Sequence, residues 1–435
     1  MTRVVVICGL LAACAVAGAG AAFAQSSSTT TALVHARLYT MQDNRPLENA
    51  TVVIRAGKVQ ALGPGLAPPA DARVIDVEGR IVTPGLMSAG SQLALVEVGS
   101  LADTRDHSVA SGALGAAFDV QYALNANTAM LDLALSDGLT RAITHPEGSP
   151  VAPFLGQGAL LRLGPGDTLL ERSRVAMYVR VGGGAAAGAG GSRSASWSLL
   201  RNALEEARRF RPTTGAGSPR DQLLGRLDAE ALQPVVTGRM PLAIVADRES
   251  DIRQVLSLHD DTRVPGILYG GAEAWRVAKE LAARRIPVVI DPTLNLPASF
   301  DAMGARLDNA ALLHEAGVRV AFAVSAFFRT YNAGSGMRLG AGLAVANGLP
   351  WIEGLRAMTS TPASIFGLSD HYGAVRVGVD ADLVVWDGDP LEPSTSALRV
   401  WARGVEVSVE NTRQHALAQR YSPLRKADVP PAYRR

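Results

Sequence analysis

The sequence predicts an α/β protein in which a parallel sheet with covering helices is carried between two halves of a small β-rich module. From about Pro84 to Thr359, strand-length and helix-length apolar runs alternate, the order that places helices over parallel strands. Both ends read instead as short β-rich runs separated by turn residues. The chain of 435 residues, 48% hydrophobic and with 44 glycines, is long enough for one barrel of about 250 residues and a smaller module beside it.

Taken in order, residues 1–24 read as an export signal: Arg3, an apolar run from Val4 to Val16, then small residues ending Ala22-Phe23-Ala24 before Gln25. The mature protein is expected to begin at Gln25 in the periplasm or outside the cell. A competing reading takes Leu11-Ala12-Ala13-Cys14 as a lipobox that would tether the protein through Cys14. Both cysteines, Cys8 and Cys14, lie in this segment, so a chain starting at Gln25 has no thiolate for a disulfide, nucleophile or metal site. Gln25 to Thr31 is a polar lead-in. Ala32–Leu38, Thr51–Arg55, Lys58–Leu62 and Arg73–Val77 are expected strands, with Ala56-Gly57 as a tight hairpin turn. Pro84-Gly85 then breaks an apolar run between two strands and marks a boundary. Beyond it, Thr140–Thr144, Arg174–Val181, Pro241–Ala246, Pro265–Tyr269, Pro287–Asp291 and Arg319–Val324 are strand candidates; an eighth is ambiguous. Ala272–Arg285, Asn309–Ala316 and Ile352–Thr359 carry helical spacing. Gly182–Ser196, nearly all Gly, Ala and Ser, is expected to be a long loop. Residues 416–435 read as an exposed tail.

The segment Ile81-Val-Thr-Pro-Gly-Leu-Met-Ser-Ala-Gly-Ser-Gln-Leu resembles the entry of amidohydrolase-superfamily enzymes into their barrel, Val-x-Pro-Gly-Leu-Ile-Asp-x-His-x-His. Val375 to Trp386, with Gly378-Val-Asp-Ala-Asp-Leu-Val, resembles the family's return strands. Ala246-Asp-Arg-Glu-Ser-Asp-Ile, Gly270-Gly-Ala-Glu-Ala-Trp and Ala344-Val-Ala-Asn-Gly-Leu-Pro resemble its imidazolonepropionase-like, secreted branch. The likeness runs from about Ala32 to Val407. It implies a (β/α)8 TIM-like barrel (83–372) inserted in a discontinuous β-sandwich (25–82 plus 373–415).

The resemblance also implies a chemistry: zinc or another divalent metal at the barrel mouth turns water into hydroxide that attacks a C–N bond. The implied ligands are His-x-His, a carbamylated Lys or Glu, two later His and an Asp. Here Gly90 and Gln92 stand for the His-x-His, Ser88 for the Asp before it, Val245 for a later His and Ser325 for the Asp. The next strand ends Leu268-Tyr269-Gly270-Gly271, again without His. The three lysines, Lys58, Lys279 and Lys426, fall in the β module, a helix and the tail, so none can serve as the carbamylated ligand. No metal or other cofactor is therefore expected.

Charge and composition narrow the partners. The 42 Lys and Arg nearly balance 40 Asp and Glu, leaving no basic field for nucleic acid or an anionic membrane. Aromatics at 5% give little stacking surface, and the early apolar run is too short for an ordinary membrane span. Outside the export segment stand His35, His107, His145, His259, His314, His371 and His415, with no His-x-His spacing among them. His145, closing a strand, is the best acid/base candidate, with Asp106 and His107 as its helpers; the plainer reading makes His145 a strand cap and Asp106-His107 a solvated pair. Asp247, Arg248 and Glu249 read as a loop-fixing cluster. Three functions stand side by side: a pseudoenzyme that binds a small molecule or an active relative, a C–N hydrolase rebuilt around His145, Asp106 and His107, and an assembly subunit of a paralogue or homo-oligomer.

Overall fold

The computed structural model describes residues 30–166, 168–211, 223–324, 327–409 and 420. The expected export signal with Cys14, Ser325, His415, Lys426 and the tail lie outside the described residues, Arg420 of the tail excepted.

Five strands open the fold: β1 (Thr31–Leu38), β2 (Leu47–Arg55), β3 (Lys58–Pro64), β4 (Arg73–Asp76) and β5 (Ile81–Pro84). β1 to β3 form an antiparallel meander. Its β2–β3 turn has positive φ at both Ala56 (51°) and Gly57 (78°), the twist a two-residue hairpin needs. A Cβ on Gly57 would meet the Arg403 carbonyl oxygen at 2.9 Å, so this turn is also where the far end of the chain comes close.

The middle of the chain supplies β6 (Leu86–Ser91), β7 (Leu139–Thr144), β8 (Phe154–Gln157), β9 (Ala159–Arg162), β10 (Leu170–Arg172), β11 (Met177–Arg180), β12 (Leu242–Ala246), β13 (Gly266–Gly270), β14 (Val288–Ile290) and β15 (Val320–Phe322). β6 and β7 are parallel, as are the consecutive neighbours from β11 to β15. Between β7 and β11 runs a segment absent from the expected strands: β9 pairs antiparallel with β7, and β8 antiparallel with β11. Gly158 joins them, donating its N–H to Ala176 and accepting from Val175. On the other margin Val324 N–H donates to the Gly90 carbonyl at 3.0 Å. The two middle sheets thus touch at both edges, a mixed α/β arrangement consistent with a barrel-containing fold.

Alternation along these strands explains why both faces are dry. Met177, Val179, Leu242, Ile244, Val288 and Phe322 point to one apolar cluster, which takes in Leu200 and Leu204 of the helix Arg193–Arg209 and Val255 of the helix Glu249–Thr262. Their neighbours Ala176, Tyr178, Ala243, Tyr269, Val289 and Ala321 point to a second, smaller cluster. Parallel strands buried on both faces need near-continuous apolar runs, which these are.

The last strands, β16 (Leu383–Trp386), β17 (Ala397–Ala402) and β18 (Val405–Val407), return to the first. β16 pairs antiparallel with β5, and the sheet runs β18-β17-β16-β5-β1-β2-β3 with β4 beside β1. One eight-stranded sheet is therefore made from both ends of the chain.

One expected loop is corrected. Within Gly182–Ser196, Gly183–Ala186 and Ala187–Ala189 form helical turns, and a 17-residue helix already begins at Arg193. Composition misleads here because Ala185 and Ala189 are buried and Gly182 (φ 90°) makes the turn that starts the helical stretch. The expected helix Ala272–Arg285 is shorter as well, a 3-10 turn at Ala274–Val277 followed by Ala278–Ala283.

Candidate functional site

The C-terminal ends of the parallel strands carry the expected site positions. Gly90 lies in β6 and Gln92 just past it, both buried. A Cβ added to Gly90 would lie 3.1 Å from His145 Nε2 and 3.1 Å from Tyr269 Cε1. The space that a side chain at position 90 would enter is thus already walled by two rings.

Those rings belong to a packed trio. His145, one residue beyond β7, stacks on Tyr178 of β11 with centroids 4.6 Å apart and planes 14° apart. Tyr269 of β13 meets both edge-on, at 5.7 Å from His145 and 5.2 Å from Tyr178. The two tyrosine hydroxyls are 2.9 Å apart, and Tyr269 donates to the Ala89 carbonyl oxygen at 2.5 Å. His145 Nδ1 is 3.0 Å from the Pro146 carbonyl oxygen, an acceptor, so Nδ1 carries the proton and Nε2 is left with a lone pair towards Gly90. Burial pulls the His145 pKa down to about 4, with Arg180 and His107 pushing the same way against the bond to Pro146. Burial pushes both tyrosines upward. All three are neutral near pH 7.

The other candidates divide. His107 is buried, with Nε2 3.5 Å from Glu147 Oε2, and His145 feels its charge. Burial lowers the His107 pKa and raises that of Glu147, so the pair favours neutral partners. Asp106 is exposed and ties its backbone N–H to Leu95; it belongs to the solvent side of this group. Asp247, Arg248 and Glu249 do not form one cluster: Asp247 accepts from Ala272 N–H at 3.1 Å, Arg248 pairs with Asp251 at 3.0 Å, and Glu249 pairs with Arg253 at 2.9 Å. Asp247 holds the turn after β13, while the other two pairs lie along the first turns of the helix Glu249–Thr262. His259 and His314 sit on helices, half-buried, His259 against the Val264 carbonyl oxygen and His314 3.9 Å from Glu353.

Beside the trio opens a cleft of about 410 Å³ at the ends of β11 and β12, lined by Arg180, Arg193, Val245, Asp247, Phe300 and Asp301 among others. Asp301 accepts from Gly183 N–H and from Arg193, both at 2.6 Å. Asp247 also borders a smaller hollow of about 50 Å³ with Leu294, Leu307 and Asn309. Arg180, Tyr178 and Tyr269 escaped the sequence reading because each sits in an apolar strand run, where the plain interpretation is a core or edge position.

The described residues at these strand ends do not fit a catalytic metal. Among the described residues no group of three or more His, Cys, Asp or Glu is arranged to hold an ion. Gly90 and Val245 offer no donor; the buried Gln92 Oε1, with no hydrogen-bond partner, is a single neutral oxygen.

Residues 246–409 match the amidohydrolase family model. The match starts one residue beyond Val245, leaving Gly90, Gln92 and Val245 outside it. Amidohydrolase tasK of Hapsidospora irregularis is 34% identical over 87 residues, 19% of this chain and 9% of that protein, so the chain spans less than a tenth of that relative. An amidohydrolase from Thermotoga maritima MSB8 superposes with a TM-score of 0.78 at 22% identity, over 87% of this chain and 99% of that one. An adenosine deaminase from Xanthomonas campestris, solved with bound zinc, superposes at 0.52 and 17% identity, over 92% and 98%. Residues 246–409 are therefore similar to the amidohydrolase family, and the chain shares its fold with these solved structures. Among the described residues no helix is long and apolar enough to cross a membrane.

Proposed function

We propose that this is an exported amidohydrolase-fold protein of the imidazolonepropionase-like branch that has lost metal-dependent hydrolysis and binds a small molecule over the C-terminal ends of its strands. On this reading the two middle sheets are one closed (β/α)8 barrel, and the eight-stranded sheet is its discontinuous β-sandwich. Residues 1–24 direct export, with cleavage after Ala24 in preference to lipid attachment at Cys14. The observation that carries the reading is the contact at Gly90. Where a first-strand histidine would project, His145 and Tyr269 already stand 3.1 Å from the missing Cβ. Lowering the pKa of a bound water towards about 7 needs a cation held by several ligands, commonly three. Gly90, Gln92 and Val245 supply one neutral oxygen between them.

The purified protein is expected to retain no stoichiometric zinc, manganese or iron after dialysis and to hydrolyse cyclic amides and dipeptides at the background rate, with or without added metal. Elemental analysis and turnover assays test this together. One metal per chain with chelator-sensitive activity would overturn it.

A second reading has a specific observation behind it. His107 lies 3.5 Å from Glu147 and its charge reaches His145, so an acid/base group rebuilt there could act on a bound substrate without metal. Metal-independent turnover lost in His107→Gln would favour it. A paralogue or second copy as partner is the third, tested by co-purification and solution mass.

A further inference from the structure

The cleft beside Val245 has a chemical character that narrows its ligand. Its two acids are already engaged. Asp301 is held by Gly183 N–H and Arg193, and Asp247 by Ala272 N–H. Arg180 is different: among the described residues its guanidinium makes no hydrogen bond or ion pair, although its charge reaches His145, Glu147 and Asp247. Burial raises the pKa of Glu147 and Asp247, and among the described residues neither acid forms an ion pair with that guanidinium. A guanidinium at the rim of a half-enclosed cleft is suited to one planar anion, gripped by two parallel N–H bonds.

The cleft also carries an exposed aromatic ring. Phe300, which lines the cleft, is 86% exposed. It belongs to a loop between β14 and β15 on which Leu294, Leu296, Met303 and Leu307 are exposed as well. That makes five of the 17 large exposed apolar residues among those described, within a stretch of 14. Isolated exposed apolar side chains need no explanation, but a concentration of this kind at a cleft mouth marks a contact surface. Leu294 and Leu307 line the smaller hollow that shares Asp247 with the cleft, so the two openings adjoin.

We propose that the cleft takes a monoanionic amphiphile, a carboxylate on an unbranched apolar chain, with the carboxylate on Arg180 and the chain along Phe300 towards Leu294 and Leu307. The inference rests on the small-molecule-binding reading above and gives that ligand a class. The carboxylate supplies the close ion pair that Arg180 does not make among the described residues. The chain covers surface that otherwise stays in water.

Calorimetric titration of the purified full chain with decanoate, hexanoate, decylamine and decanol tests it. Decanoate is expected to bind one per chain, more tightly than hexanoate, with the amine and the alcohol much weaker. Arg180→Gln should weaken decanoate at least about tenfold. Phe300→Ser should weaken it about threefold or more while changing hexanoate less. Among the described residues neither side chain makes a hydrogen bond or ion pair, so unchanged melting temperatures show that the variants are folded. Decylamine binding as tightly as decanoate, an unaffected Arg180→Gln, or equal affinity for hexanoate would each overturn the proposal. So would a dimer that Phe300→Ser dissociates while decanoate stays silent, since the exposed apolar residues would then form a protein contact. If decanoate is silent but a polar metabolite raises the melting temperature, the amphiphile fails and the binding protein stands; chelator-sensitive turnover with bound metal removes the binding protein itself.

Discussion

Strand β7 carries two buried polar groupings near its opposite ends, and they are built on opposite principles. Towards its start, Arg141 is 1% exposed and fully charged, with acids on three sides: Asp382, Asp380 at 3.2 Å and Glu171 at 2.6 Å. Its guanidinium also lies 5.0 Å from the Tyr372 ring. Just past the end of β7, His145 is neutral and packs on two neutral tyrosines. Burial opposes charge at both places. Around Arg141 it is outweighed by Asp382 and the neighbouring acids, so the pKa rises; around His145 nothing outweighs it, so the pKa falls. The charged grouping ties β7 to the turn before β16 and to β10, parts of the chain remote in sequence. The neutral one closes the strand ends beside Gly90.

The comparison breaks most visibly at Arg141. Arg141→Met leaves Asp382 buried without its main counter-charge and should cost about 3–5 kcal/mol in urea unfolding. Arg141→Met combined with Asp382→Asn should recover part of that, because the stranded charge goes with it. A single variant that loses under about 1 kcal/mol would mean that the ion pairs do not hold the β sheet to the middle of the chain.

His145 sharpens the other side through pH. Its folded pKa of about 4 lies below the ordinary 6.5, so the unfolded chain binds more protons between those values. Stability from this group is therefore complete above about pH 6.5 and is lost as pH falls towards 4, by up to about 2–3 kcal/mol. Glu147 and Asp247, raised by burial, act in the opposite sense, so the test is a difference. His145→Phe keeps a ring on Tyr178 and should flatten the acid-side loss relative to the wild type. Parallel stability–pH curves would show that the His145 ring is already solvated.

Much of the fold was legible because it is local. Pro84-Gly85 falls where β5 gives way to β6, and the apolar runs at Pro241–Ala246 and Pro265–Tyr269 form β12 and β13. The segment 154–162 was missed because Gly156 and Gly158 weaken its strand signal, and its pairing is set by β7 and β11 on either side. The helical turns within 183–189 were missed because burial of Ala185 and Ala189 is a tertiary fact that a Gly/Ala composition does not carry. The site was half legible. Gly90, Gln92 and Val245 could be named from a motif, but what occupies the space beside Gly90 could not. Tyr178 and Tyr269 are 91 residues apart, and each resembles any core aromatic in a strand. Arg141 and Asp382 are 241 residues apart, so a lone charge in an apolar run gave no hint of its partner.

The remaining predictions probe how tightly the neutral end is filled. Gly90→Ala places a methyl 3.1–3.2 Å from His145 and Tyr269, tighter than ordinary contact, so at least one ring must give way. A cost of about 1–2 kcal/mol is expected. Gly90→His combined with Gln92→His should cost more than the alanine and still not yield stoichiometric zinc, since the entering imidazole meets the same rings. The smallest effect belongs to the hydroxyl pair. Tyr178→Phe removes one neutral hydrogen bond, the 2.9 Å contact with Tyr269, and leaves the stack on His145 intact. Tyr269 keeps its bond to the Ala89 carbonyl oxygen, so no buried donor is stranded and the loss should stay near 1 kcal/mol. Tyr269→Phe strands the Ala89 carbonyl as well and should cost more than Tyr178→Phe. Thermal unfolding of the two variants side by side decides the order. If Tyr178→Phe is the worse, the trio is held together through the Tyr178 hydroxyl and not through the anchor on β6.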